Sequence, residues 1–145
     1  MQHEFVEIHF QNSNHKLKKL KMANFLETFV EDIKSNIPGY IAVSVTEVSS
    51  GVCYVSDSST KSFDPEIASA YNLEVVKAKK NAIKALELDS QIEDILITLK
   101  GQIHLIDVSV NGEYFIYLAV DSDKANLGMT RALLRKYKKD IIKNL

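Results

Sequence analysis

Residues 92–121 constrain this chain more than any other stretch. They hold three runs of β-branched, aliphatic and aromatic residues, joined at Lys100-Gly101 and at Asn111-Gly112. Asn-Gly between two such runs is the strongest short-range signal for a β-hairpin, because both residues tolerate the left-handed backbone that tight hairpins need. Three consecutive antiparallel strands, a meander, are therefore expected. Helical patterns flank them on both sides.

Upstream, a helical period runs over residues 17–35, with Leu17, Leu20, Phe25, Phe29 and Ile33 recurring at mostly three- and four-residue steps. Pro38-Gly39 ends it. Residues 40–48 read as a strand, Ser49-Ser50-Gly51 as a turn and residues 52–57 as the returning strand. After a polar loop, Asp64 suits an N-cap, Pro65 the first helical position and Glu66 the positive helix end. The helix that follows runs to about residue 88, with Ile67, Tyr71, Val75, Ala78, Ala82 and Leu86 forming one stripe. Asp121, Ser122 and Asp123 offer caps for a last helix, whose Leu127, Leu134, Tyr137 (or Leu133) and Ile141 face inward. Before all of this, residues 1–16 form an N-terminal extension. There Val6, Ile8 and Phe10 alternate with polar residues in a strand-like way before Gln11-Asn12-Ser13-Asn14 breaks the pattern. The domain proper spans residues 17–145. Its expected order is α-β-β-α-β-β-β-α, an α+β fold in which a five-stranded antiparallel sheet is sandwiched by three helices.

The third strand, residues 92–99, carries Ile95, Ile97 and Leu99 on one face and Leu96 on the other. That is the pattern of a strand covered on both sides. Yet it follows a long helix and opens the meander, which places it at a sheet edge. A long hydrophobic edge is an association hazard unless it is paired, and pairing with its own copy in a two-fold dimer resolves the conflict.

The residues also resemble the roadblock family, named for the dynein light-chain roadblock, in its bacterial form. The order of elements matches. Ile37-Pro38-Gly39 is similar to the segment preceding the family's first strand. Asp94-Ile95-Leu96-Ile97-Thr98 and His104-Leu105-Ile106 are similar to its third and fourth strands, and residues 114–120 followed by Ala125-Asn126-Leu127-Gly128-Met129 to its last strand and helix start. Ser49-Ser50-Gly51 departs from the Asp-x-x-Gly turn frequent in the family, and the extension has no counterpart in a minimal domain. The resemblance implies a profilin/longin-like roadblock fold and a homodimer. Strands 92–99 would pair edge to edge and the second helices would pack side by side, giving an interface of Tyr71, Val75, Ala78, Ala82, Ile95, Leu96, Ile97 and Leu99. It further implies a scaffold without a catalytic centre that binds, and could regulate, a small Ras-like GTPase.

The remaining chemistry agrees. There is no Gly-x-Gly-x-x-Gly and no Gly-Lys-Ser/Thr phosphate loop, so no nucleotide cofactor is expected. Cys53, the single cysteine, lies in a strand pattern and reads as a buried thiol. His3, His9 and His15 lack metal spacing, and His104 has no nucleophile nominated beside it, so neither a metal nor a catalytic role is expected. Arg131 and Arg135 could in principle supply charge to a GTPase, but a surface role on the last helix suffices. No apolar run is long enough to span a bilayer and no signal-peptide pattern opens the chain, which points to the cytoplasm. Charge is uneven. Residues 25–123 hold seven lysines against sixteen acids, whereas residues 124–145 hold seven basic groups against Asp140. The lysines at 16, 18, 19 and 21 lack interleaved aromatics, so nucleic acid is not expected as a partner. Lys77, Lys80 and Lys84 fall away from the helical stripe and are the candidate partner surface. The competing reading is a small-ligand sensor of PAS- or profilin-like fold, which would need polar groups converging on a pocket.

Overall fold

The computed structural model describes residues 2–145, with side chains from Phe10 onward. The elements are α1 (Gln2–Asn36), β1 (Tyr40–Glu47), β2 (Cys53–Ser58), α2 (Pro65–Ala85), β3 (Asp94–Leu99), β4 (Gln102–Val108), β5 (Tyr114–Asp121) and α3 (Leu127–Asn144). The strand-like alternation at residues 6–10 does not give a strand. The backbone is helical from Gln2, and the extension continues α1 without a break. The side chains of His3, Val6, Ile8 and His9 lie outside the described residues.

All five strands join one antiparallel sheet in the order β2-β1-β5-β4-β3. β5 sits in the middle and is buried along nearly its whole length. Alternation along the strands sends side chains to two cores. Val43, Val45, Ile116, Leu118 and Val120 meet Phe29 and Ile33 of α1 and Leu134, Tyr137 and Ile141 of α3. Ala42, Phe115, Tyr117 and Ala119 meet Leu73 and Val76 of α2. Helices α1 and α3 thus share one face of the sheet and α2 covers the other. α1 and α3 are tied together by the Tyr137 hydroxyl donating to the Asp32 carboxylate. Burial and that acceptor push the Tyr137 hydroxyl up to about 12.

Several local details follow chain chemistry. Asp64 caps α2, accepting from the Glu66 and Ile67 amides at 2.9 and 3.1 Å, with Pro65 in the first turn. The cap of α3 is Asn126, which accepts from the Met129 amide at 3.0 Å, and not the acidic group at 121–123. Asp121 serves the turn before it, accepting from the Asp123 amide at 2.8 Å. Asn111-Gly112 is not a two-residue hairpin either. The β4–β5 turn closes with the Gly112 amide on the Ser109 carbonyl at 2.8 Å. Only Gly112 there takes the left-handed backbone, at φ 71°. The added length comes from Ser109, whose hydroxyl accepts from the Tyr114 amide and donates to Asn111.

Candidate interaction surface

The stripe expected on α2 does not face the protein's own core. Buried on α2 are Ser69, Asn72, Leu73 and Val76. Ser69 is satisfied in the core by a hydrogen bond with the Ser44 hydroxyl. Ile67, Tyr71, Val75 and Ala78 are exposed, and Ala82 is half-buried. Tyr71 is the extreme case at 74 % exposure. On one flank of α2, across a groove, lies β3, one of the two edge strands. There Ile95 and Ile97 are half-buried against the α2-side core, while Leu96 and Leu99 are exposed. A groove of about 640 Å³ lies between helix and strand, lined by Val75, Lys79, Ile83, Leu88, Ile95 and Leu96 among others. Among the described residues, no strand lies beside the outer edge of β3. Of the residues expected at a dimer seam, Val75, Ile95 and Leu96 line this groove, while Tyr71, Ala78 and Leu99 are exposed outside it.

The start of β3 is fixed from the opposite layer, which sequence reasoning missed. Arg131 of α3 grips the Asp94 carboxylate with both Nε and Nη2 at 3.0 Å. Lys138 donates to Asp107 Oδ1 at 2.7 Å and to the Glu93 carbonyl at 3.2 Å. Burial pushes the Asp107 carboxyl up, and the Lys138 ammonium pulls it back down. Spacing gives no hint of either pair, because partners 37 and 31 residues apart meet only through the tertiary fold. Arg131 is thereby committed within its own chain, and Arg135 stays exposed.

Of the candidate partner lysines, Lys77 lies 3.7 Å from Glu74 one turn earlier, and Lys84 is exposed. Lys80 is engaged within the fold, its Nζ donating to the Gly112 carbonyl at 2.8 Å. At about 100° per residue, Lys77 sits about 120° round the helix from Tyr71, on the flank away from β3. His104 is held on both ring nitrogens, Nε2 against Gln102 Oε1 at 2.9 Å and Nδ1 against the Tyr117 hydroxyl at 3.1 Å. Burial lowers its pKa. Cys53 is half-buried on β2, and burial pushes its thiol up. Among the described residues no three His, Cys, Asp or Glu side chains cluster as metal ligands, and no helix is long and apolar enough to cross a membrane.

No family model matches the sequence. No curated protein sequence matches it either. Solved structures match its fold. MglB of Myxococcus xanthus superposes with a TM-score of 0.68 at 13 % identity, covering 86 % of both chains. MglC of the same organism gives 0.55 at 20 % identity over 83 % of this chain and 99 % of that one. A Roadblock/LC7 domain from Streptomyces avermitilis gives 0.61 at 8 % identity over 77 % of this chain and 93 % of that one. The chain has a roadblock-like fold, the α+β architecture expected from its sequence.

Proposed function

We propose that this protein is a homodimeric, non-catalytic scaffold of the cytoplasm that binds and regulates a small Ras-like GTPase. The observation that supports the reading is the groove that the edge strand β3 shares with Val75 and Ile83 of α2, beside the exposed Tyr71. Water against Tyr71, Val75, Leu96 and Leu99 is unfavourable, and the free amides and carbonyls of β3 invite a further strand. A second copy of β3, antiparallel across a two-fold axis, satisfies both needs and brings the two α2 stripes together. The GTPase follows from the resemblance to the roadblock family together with the absence of a phosphate-binding loop in the chain itself.

In such a dimer the two α2 helices form a layer, with Lys77 and Lys84 of each subunit on its outer flanks. A GTPase lying across this layer would meet lysines at both rims. Because it spans the axis it would exclude a second copy, giving one GTPase per dimer. The test is binding of the purified chain to candidate small GTPases from its source cell, locked with GTP or with GDP. A nucleotide-dependent complex at one GTPase per two chains supports the reading. Indifference to every such GTPase in both states contradicts the partner assignment and leaves the dimer to be judged separately.

A further inference from the structure

We infer that the segment of α1 from Phe10 to Asn24 is a docking helix for an acidic-edged amphipathic helix of a partner protein. Every residue from Phe10 to Lys21 is exposed, so this part of α1 stands clear of the sheet. Helices in water are held mainly by packing of one face, and a free segment of this length is marginal by itself. The segment nevertheless has such a face. Phe10, Ser13, Leu17, Leu20 and Asn24 recur at alternating steps of three and four, the spacing of a two-stranded coiled-coil seam. Phe10, Leu17 and Leu20 are 69 %, 53 % and 58 % exposed.

This seam is no continuation of the helix's own core stripe. Leu17 lies about 160° round the helix from Ile33, and Leu20 about 180° from Phe29, so the seam points away from the side that α1 buries on the sheet. α1 also lies on the opposite face of the sheet from α2. The seam is therefore separate from the surface formed by β3 and α2.

Charge selects the occupant. Lys16 and Lys21 flank the seam on either side, and residues 10–24 carry four lysines and no acid. In a parallel pair with a second copy, Lys16 would face the other copy's Lys21, and like charges at these flanking positions oppose pairing. A membrane surface would have to accept Ser13 and Asn24 within the apolar stripe. In a coiled-coil seam a single asparagine is instead a device that sets register. A helix with leucines in its seam, one asparagine to meet Asn24 and glutamates at its flanks matches the apolar residues, the amide and the lysines together.

The probe is a synthetic peptide of about three heptads with leucine and one asparagine in the seam and glutamate at the flanking positions, beside a twin with lysine there. Binding of both to the full chain is followed by fluorescence anisotropy. The glutamate peptide should bind at least about tenfold more tightly than its twin, a gap of about 1.4 kcal/mol. Lys16→Glu with Lys21→Glu should reverse the preference. Leu17→Glu with Leu20→Glu, both at exposed positions, should abolish binding while leaving the sedimented mass unchanged. Equal or absent binding of the two peptides overturns the inference. So does a fall in mass on the leucine substitutions, which would make a second copy the occupant. Leucine-dependent binding to phosphatidylserine vesicles without peptide binding would assign the seam to a lipid surface and overturn it equally.

Discussion

Glu87 is the one non-glycine residue in the left-handed backbone region among the described residues, at φ 55°. It sits just past the end of α2, where its amide donates to the Lys84 carbonyl and that of Leu88 to the Ile83 carbonyl, both at 3.1 Å. This doubled bond pattern terminates helices with a glycine at the left-handed position. A side chain there costs about 1 kcal/mol that glycine avoids. Glu87→Gly should therefore raise the unfolding temperature by a few degrees, and a lowered value in a thermal melt would contradict this account of the cap. His104 offers a second test at this scale. Burial holds its pKa below the ordinary 6.5, so the folded chain keeps the ring neutral where the unfolded chain takes up a proton. The sign follows from linkage. The stability contributed is complete above the unfolded value and is lost as pH falls through the window beneath it. Urea midpoints of the wild type should drop between about pH 7 and about pH 5 more steeply than those of His104→Gln, which cannot titrate. Parallel curves would contradict the assignment.

At the scale of elements, the proposed dimer rests on β3 and α2. Ile97→Lys would place a charge in the β3 seam, and a desolvated unpaired charge costs several kcal/mol, enough to dissociate the dimer or unfold the chain. Tyr71→Glu separates these two outcomes, since Tyr71 is exposed in the protomer. Its circular dichroism should be unchanged while its dimer weakens. A Tyr71→Glu protein as strongly dimeric as the wild type would remove the α2 stripe from the interface. These elements were legible in sequence because β-branched runs with glycine turns, and a capped amphipathic run, leave local signals. Their faces were legible only in part. On α2 the strongest apolar stripe is the exposed one, and the buried face includes Ser69 and Asn72, whose polarity disguises it. On α1, Leu17 and Leu20 lie on the far side from Phe29 and Ile33, because the five-residue step from Leu20 to Phe25 turns about 140° round the helix where steps of three and four nearly return to the same face. The extension looked strand-like over five residues, too short a window to tell a strand from the end of a long helix. The Arg131–Asp94 and Lys138–Asp107 pairs had no local signal at all, since long-range ion pairs are set by the fold.

At the scale of the whole molecule, α2 carries Lys77, Lys79, Lys80 and Lys84 against Glu66 and Glu74, and the last helix is basic. Exposed charges act chiefly through long-range attraction that salt screens. Reversal at Lys77 and Lys84 together should slow association with the proposed GTPase partner, more at low ionic strength than at high, and should leave the mass of the proposed dimer unchanged. Rates measured by stopped flow that do not respond would move the docking surface to the basic helix around Arg135 and Lys139. All of this rests on the dimer, and sedimentation equilibrium of the wild-type chain at micromolar concentration tests it most directly. The expected mass is twice the 16.3 kDa of one chain, reduced to a single chain's mass by Tyr71→Glu or by a folded Ile97→Lys variant. A wild-type protein that sediments as one chain would contradict it.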